Sequence, residues 1–155
     1  MCMSYRILFV CLGNICRSPT AEAVTRAKAE ERGLDVVVDS AGTGSWHLGK
    51  PPYPPMQATA RAKGYDLSAL RARLVTKADF SDFDLIIVMD KDNAADLAAI
   101  GPSDRLRFFT DYAPESGASY VPDPYFTRDF DGALALIEDC AEGLLATLER
   151  RADQV

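Results

Sequence analysis

An α/β fold built on a parallel sheet, with helices on both faces and an anion-binding loop after the first strand, is what this sequence predicts. Two observations carry that prediction. Short apolar runs alternate along the chain with helical stretches that end at glycine, the pattern of βαβ units. The first of those runs leads directly into Cys11-Leu12-Gly13-Asn14-Ile15-Cys16-Arg17-Ser18 and then into a helix start.

The first strand, 5–10, is the uninterrupted run Tyr-Arg-Ile-Leu-Phe-Val, and further strands are expected at 35–39, 84–89 and 105–109. A helix over 19–32 has Ser18 as a favoured N-cap, Pro19 as a favoured first residue and Gly33 as its stop. Glu22 falls one position late for a capping box, yet complements the dipole of the first turn. Helices over 55–63 and 92–100 are stopped by Gly64 and by Gly101-Pro102. The helix over 130–149 is the clearest, because Leu134, Ile137, Ala141, Leu144, Leu145 and Leu148 form one apolar face. Lys50-Pro51-Pro52-Tyr53-Pro54-Pro55 reads as a stiff spacer loop.

The loop between the first strand and the first helix carries the chemistry. A loop closing onto a helix N-terminus directs N–H groups at a common centre and favours an anion there. Arg17 adds a planar, permanently charged fork that matches phosphate oxygens. The same field holds a cysteine at its mouth, Cys11, as thiolate. Gly13 and Asn14 are residue types that tolerate the positive φ a tight cradle demands. A nucleophile and an oxyanion binder in one short loop imply phosphoryl transfer through sulfur. The bland reading is a buried cysteine ending a strand, with a solvated arginine nearby.

Composition bounds the setting. At 155 residues the chain is expected to form one domain, 1–155, with a single substantial core. A net charge of −6 argues against a nucleic-acid partner or an anionic membrane surface. No run of 18 apolar residues and no signal-peptide layout occurs, and the cysteine spacing fits neither a metal site nor a secreted disulfide framework. A cytoplasmic location without metal or cofactor is the expectation.

The run Val10-Cys11-Leu12-Gly13-Asn14-Ile15-Cys16-Arg17-Ser18-Pro19-Thr20-Ala21-Glu22 closely resembles the signature of the low-molecular-weight protein tyrosine phosphatases. The resemblance extends to Asp39-Ser40-Ala41-Gly42-Thr43, to Asp84-Leu85-Ile86-Ile87-Val88-Met89-Asp90 and to Asp123-Pro124-Tyr125, in the family's order. It implies a four-stranded parallel sheet of order 2-1-3-4. It also implies hydrolysis of phosphotyrosine and small aryl phosphates through a cysteinyl-phosphate on Cys11.

The leaving oxygen must be protonated as its P–O bond breaks. Asp-Pro alone reads as a turn initiator; the resemblance makes Asp123 the general acid, and then the base that activates water, with a bell-shaped rate profile expected. Leu12 to Cys16 and Ser18 complete the phosphate-binding loop, with Ser18 donating to the Cys11 sulfur. By resemblance Ser40 supports a strained Asn14. Relatives often carry His in a His-x-Ala-Arg stretch where this chain reads Leu70-Arg71-Ala72-Arg73, so one member of the family's hydrogen-bond network is missing. Arg73 reads as a structural ion-pair partner.

By resemblance Trp46 lies beside the substrate, opposite a wall formed by Tyr125 and Phe126, and the two would grip a phenyl ring. From the residues alone, Trp46 equally reads as an anchor packing its own loop. His47 reads as a loop residue. Cys16 is either a small apolar filler or, as the resemblance supports, a second thiol that traps an oxidised Cys11 as a disulfide. Cys140 reads as core or flank and Cys2 as a terminal thiol. Implied partners are a phosphotyrosine protein, with a tyrosine kinase as one candidate, and inorganic phosphate or other oxyanions as inhibitors.

Rival readings remain. Protein arginine phosphatases of this family tend to place Thr at the position of Ile15, whereas an aliphatic residue favours phosphotyrosine. Arsenate reductases of the same fold relay oxidation through two mid-chain cysteines, but none lies between Cys16 and Cys140. A non-hydrolysing phosphocysteine carrier has no use for Asp123 as acid. A phosphate-binding module without turnover is the last alternative.

Overall fold

The computed structural model describes residues 4–153. In chain order the strands are β1 (Tyr5–Cys11), β2 (Val36–Gly42), β3 (Leu85–Val88) and β4 (Leu106–Phe108). The helices are α1 (Arg17–Arg32), α2 (Pro54–Ala62), α3 (Asp79–Asp82), α4 (Lys91–Ile100), α5 (Pro124–Thr127) and α6 (Phe130–Asp153). All pairings are parallel, and the order is β2-β1-β3-β4, as the resemblance implies.

β1 is central and buried from Ile7 to Cys11, which is why it reads as a continuous apolar run and not as an alternation. Ile7, Phe9 and Cys11 point into the larger core, shared with Val24 of α1 and with Ile137, Leu144 and Leu148 of α6. Leu8 and Val10 point the other way, against Ile86, Val88 and Leu97 of α4. Each fully buried Leu, Ile or Phe contributes roughly 1.5–3 kcal/mol. The apolar face expected on the last helix is buried throughout, and α6 runs four residues past its expected end. At Gly143 a Cβ would stand 1.7 Å from the Tyr112 carbonyl oxygen, so only glycine lets the 3₁₀ turn Phe109–Tyr112 seat on α6.

Several local expectations are corrected. α1 begins at Arg17, two residues early, with Cys16 at its N-cap making no side-chain cap bond. Ser18 is therefore inside the helix and does not cap it, and Pro19 is the third helical residue; the Ser18 hydroxyl is committed elsewhere. Glu22 lies beyond the first turn and is buried, so it does not serve the dipole. β2 extends three residues past its expected end, to Gly42. The single turns α3 and α5 and the 3₁₀ turns Phe109–Tyr112 and Pro114–Ser116 were not foreseen, being too short for periodicity to reveal. Cys2 lies outside the described residues.

Candidate active site

The carboxyl ends of β1 and β3 lie side by side, the edge of an open α/β sheet where ligands bind. β1 ends in Cys11 and the chain turns back through the loop to α1. Asn14 takes φ 57°, a left-handed conformation costing on the order of 1 kcal/mol or more for a non-glycine residue. Three hydrogen bonds offset that strain: Asn14 Nδ2 donates to Ser18 Oγ (2.7 Å) and to Ser40 Oγ (3.0 Å), and its Oδ1 accepts from the Arg73 N–H (3.0 Å). Ser40 in turn donates to Glu22 (2.7 Å), which Arg26 holds. Glu22 is thus the buried end of a polar chain that starts at the sulfur. Gly13 does not take a positive φ; a Cβ there would stand 3.0 Å from the His47 ring, so close packing fixes this glycine. At Gly42 a Cβ would lie 2.8 Å from the Leu12 carbonyl oxygen, which explains the glycine that ends β2.

The Cys11 sulfur, buried with its residue 3% exposed, has two neighbours within bonding reach. The Asn14 N–H donates to it at 3.3 Å, and Ser18 Oγ is 3.0 Å away. Ser18 Oγ accepts from Asn14, and its proton has two acceptors in reach, the Cys11 sulfur at 3.0 Å and the Ala41 carbonyl at the longer 3.5 Å, so the sulfur is the nearer one. Among the described residues the N–H groups of Leu12, Gly13, Ile15, Cys16, Arg17 and Ser18 have no protein acceptor. Open donors in a loop that closes onto a helix N-terminus suit an oxyanion.

Arg17 is 2% exposed. Its Nη1 donates to Asp90 Oδ2 (2.6 Å) and to the Val121 carbonyl (3.0 Å), while Nη2 sits 3.4 Å from Asp123 Oδ2. Burial works against its charge, but Cys11, Asp90 and Asp123 more than compensate, so the guanidinium is held charged. Its Nε is buried without a partner, an orphaned donor that a phosphate oxygen would satisfy. Asp90 also caps α4 by accepting from the Asn93 N–H at 2.8 Å, which fixes the carboxylate that aims Arg17. Sequence reading gave Asp90 no role, although its place just past β3, beside β1, was a signal.

Asp123 caps α5 through Oδ1, which accepts from the Tyr125 N–H (3.1 Å), and turns Oδ2 to Arg17. Cys11, Leu12, Gly13, Ile15, Cys16, Arg17, Trp46, His47, Asp123, Tyr125 and Phe126 line one pocket of about 230 Å³. Asn14, Ser18 and Ser40 stand behind it, buried. Trp46 does both things the sequence allowed: it lines the pocket and lies on Gly44, where a Cβ would come within 1.9 Å of its ring. His47, read as a loop residue, also forms part of the wall, with its ring 6.1 Å from that of Tyr125. Burial, with the nearby charges of Cys11 and Asp123, pushes the Cys16 thiol well up, so it stays protonated near neutrality. Burial likewise pushes Cys140 up to about 12, as befits a core residue.

The family model described as low molecular weight phosphotyrosine protein phosphatase matches residues 6–154. The chain belongs to that family. It is 42% identical over 149 residues to the low molecular weight protein-tyrosine-phosphatase YfkJ of Bacillus subtilis, covering 93% of this chain and 96% of that one. The crystal structure of YfkJ superposes with a TM-score of 0.92 at 40% identity, over 96% and 97% of the two chains. A protein tyrosine phosphatase from Entamoeba histolytica, with Hepes in its active site, gives 0.89 at 35% identity over 94% and 97%. The Drosophila arginine phosphatase gives 0.86 at 32% identity over 92% and 96%. In this low-molecular-weight phosphatase the Leu70 departure has a clear outcome. The Leu70 side chain packs on the core and has no hydrogen bond to give, yet the Asn14 side chain keeps three partners. Arg73 is an ion-pair residue, as its sequence suggested, bridging Asp39 and Asp79 at 3.0 Å each.

Proposed function

We propose that this phosphatase hydrolyses phosphotyrosine in proteins, and small aryl phosphates, by the following use of its residues. The Cys11 sulfur attacks phosphorus in line while the open loop N–H groups and Arg17 hold the phosphoryl oxygens. The P–O bond breaks, its electron pair leaves on the phenolic oxygen, and Asp123 gives that oxygen its proton. Asp123, now a carboxylate, takes a proton from water as the water oxygen bonds to phosphorus and the S–P bond breaks. The pair returns to sulfur, where Ser18 stabilises it, and phosphate leaves. The incoming phosphate replaces Asp123 as the partner of Arg17 Nη2, a contact of only 3.4 Å, and so frees the acid for its task.

The observation that supports the reading is the buried Cys11 at the head of a loop with six N–H groups lacking protein acceptors, with Arg17, whose buried Nε has no partner, and Asp123 lining the same pocket. Trp46, Tyr125 and Phe126 form apolar walls deep enough for a phenyl ring to bring its phosphorus to the sulfur. Ile15 in the cradle wall favours an aryl ester over a phosphoguanidine. One catalytic domain, cytoplasmic and needing neither metal nor cofactor, suffices for this chemistry. Phosphorylated tyrosine kinases are substrates of suitable chemistry, and phosphate or other oxyanions compete for the cradle. Cys16 protects the nucleophile: once Cys11 is oxidised to a sulfenic acid, the Cys16 thiol condenses with it to a disulfide and releases water.

Phosphate release from matched phosphotyrosine and phosphoarginine peptides tests the reading. Phosphotyrosine should be preferred by at least about tenfold in kcat/KM, and Cys11→Ser should abolish turnover while keeping oxyanion affinity. Preference for phosphoarginine, or activity of Cys11→Ser within tenfold of the native enzyme, would refute it.

A further inference from the structure

The acid Asp123 sits on a single exposed helical turn, α5, and such a turn has little stability of its own. Its N-terminal end is fixed by the Asp123 cap. Its C-terminal end is Arg128, whose N–H bonds the Pro124 carbonyl at 2.9 Å and whose φ is 64°. That is a position where glycine is the unstrained choice. An arginine held there against its conformational preference asks what its side chain does.

Its neighbour Asp129 accepts from the Gly132 N–H, and the Arg128 side chain lies against two adjoining rings, those of Tyr53 and Phe130, whose centroids are 6.1 Å apart. The Arg128 guanidinium carbon is 5.4 Å from the centroid of Tyr53 and 5.1 Å from that of Phe130. Its Nη1 donates to the Tyr53 hydroxyl at 3.0 Å. Tyr53 also touches both halves of the active site. Its N–H donates to the Ile15 carbonyl of the phosphate loop at 2.8 Å, and its ring lies 5.1 Å from that of Tyr125 on the acid's turn. The proline-rich segment, read from sequence as a spacer, therefore carries a residue joined to the nucleophile's loop through its backbone and to the acid's turn through its side chain.

We infer that Tyr53 and Arg128 form a clamp that positions Asp123 over the phosphate loop, setting the distance between acid and leaving oxygen. Neither residue lines the pocket or touches the reacting atoms; both are positioning residues. The inference rests on Asp123 as the general acid. It matters most where protonation matters most, with substrates whose leaving oxygen is strongly basic.

The test is kcat/KM for a series of aryl phosphates, from 4-nitrophenyl phosphate to phenyl phosphate. It is measured for the native enzyme, Arg128→Gly, Arg128→Lys, Tyr53→Phe, the Tyr53→Phe/Arg128→Gly double variant and Asp123→Ala, alongside melting temperatures. Arg128→Gly should lose about 3- to 10-fold on phenyl phosphate and less than about twofold on 4-nitrophenyl phosphate. It should melt no lower than the native enzyme, because glycine accepts the backbone conformation that arginine resists. Arg128→Lys should recover part of the lost activity, and the double variant should be no worse than Arg128→Gly alone, since both changes remove one shared contact. Leaving-group dependence in Arg128→Gly and Tyr53→Phe parallel to the native enzyme, with Asp123→Ala steeper, overturns the clamp and leaves the acid in place. A native-like dependence in Asp123→Ala overturns the acid assignment, and the clamp with it.

Discussion

The Cys11–Ser18 loop and the turn capped by Asp123 face the same pocket but are built in opposite ways. From Cys11 to Ser18 every residue except Leu12 and Gly13 is buried, and the one strained residue, Asn14, is bonded from α1, from β2 and from the loop at Arg73. From Tyr125 to Arg128 all residues are exposed, Phe126 to 70%, and the turn is held by the Asp123 cap, by the tilted contact of Tyr53 on Tyr125 and by the Arg128 cation against Tyr53 and Phe130. The two regions have different tasks. Charge that develops at phosphorus needs donors fixed before the reaction, since moving dipoles into place during it would cost back what they stabilise. A proton donor must instead let substrate in and product out, which a rigidly buried carboxylate could not do.

Variants can break or sharpen this contrast. The largest effect is expected in the cradle: Arg17→Lys keeps a positive charge but loses the planar fork and the contacts to Asp90 and Val121, so kcat/KM should fall by about 10²- to 10³-fold. A loss below about tenfold in steady-state kinetics would mean the fork geometry is unimportant. Next is Cys16→Ser, which leaves the cradle's backbone donors in place. Its turnover should remain within a few-fold of native, but activity after peroxide treatment should no longer return with thiol. Equal recovery in both proteins removes Cys16 from a protective role.

The smallest effect is expected away from the chemistry, at Asp79. Burial disfavours its charge, but bonds from Arg73 and from the Thr76 N–H hold its carboxyl below the ordinary carboxylate range. A carboxylate whose value is lowered by folding adds stability above its unfolded value and loses it as pH falls through the folded one. Asp79→Asn should therefore destabilise the protein by about 1–3 kcal/mol at pH 7, with the gap to native closing under strongly acidic conditions, as followed by denaturant titration. A gap independent of pH would show that the ion pair with Arg73 is not its source. Because the Arg73 N–H holds Asn14, the same variant reports how far support of the cradle extends from it.

Much of this was legible in the sequence, and the illegible part has physical reasons. β1 and the apolar face of α6 are long periodic signals, and Cys11, Arg17 and Ser18 share one short loop, so local pattern exposes them. Asp123 required the family resemblance, because Asp-Pro alone is a turn signal. Ser18 has the residue type of a cap, but capping preference cannot tell whether the hydroxyl is needed by a backbone N–H or, as here, by Asn14 and the sulfur. Gly13 was explained by φ when the reason is the His47 ring against it, a contact between residues 34 apart in sequence. Asp90, Glu22 and the Tyr53–Arg128 pair act through partners far along the chain, and no single window contains both members.

The most direct measurement is to mix an Asp123→Ala enzyme with 4-nitrophenyl phosphate labelled at phosphorus, whose leaving oxygen needs no proton, quench with denaturant in alkali within the first turnover, and map the label. Without Asp123 to activate water the intermediate should outlive the quench. Phosphorus is predicted on the peptide containing Cys11, in stoichiometric amount, and absent in Cys11→Ser. Turnover without any labelled peptide, or label on a residue other than Cys11, would contradict the mechanism.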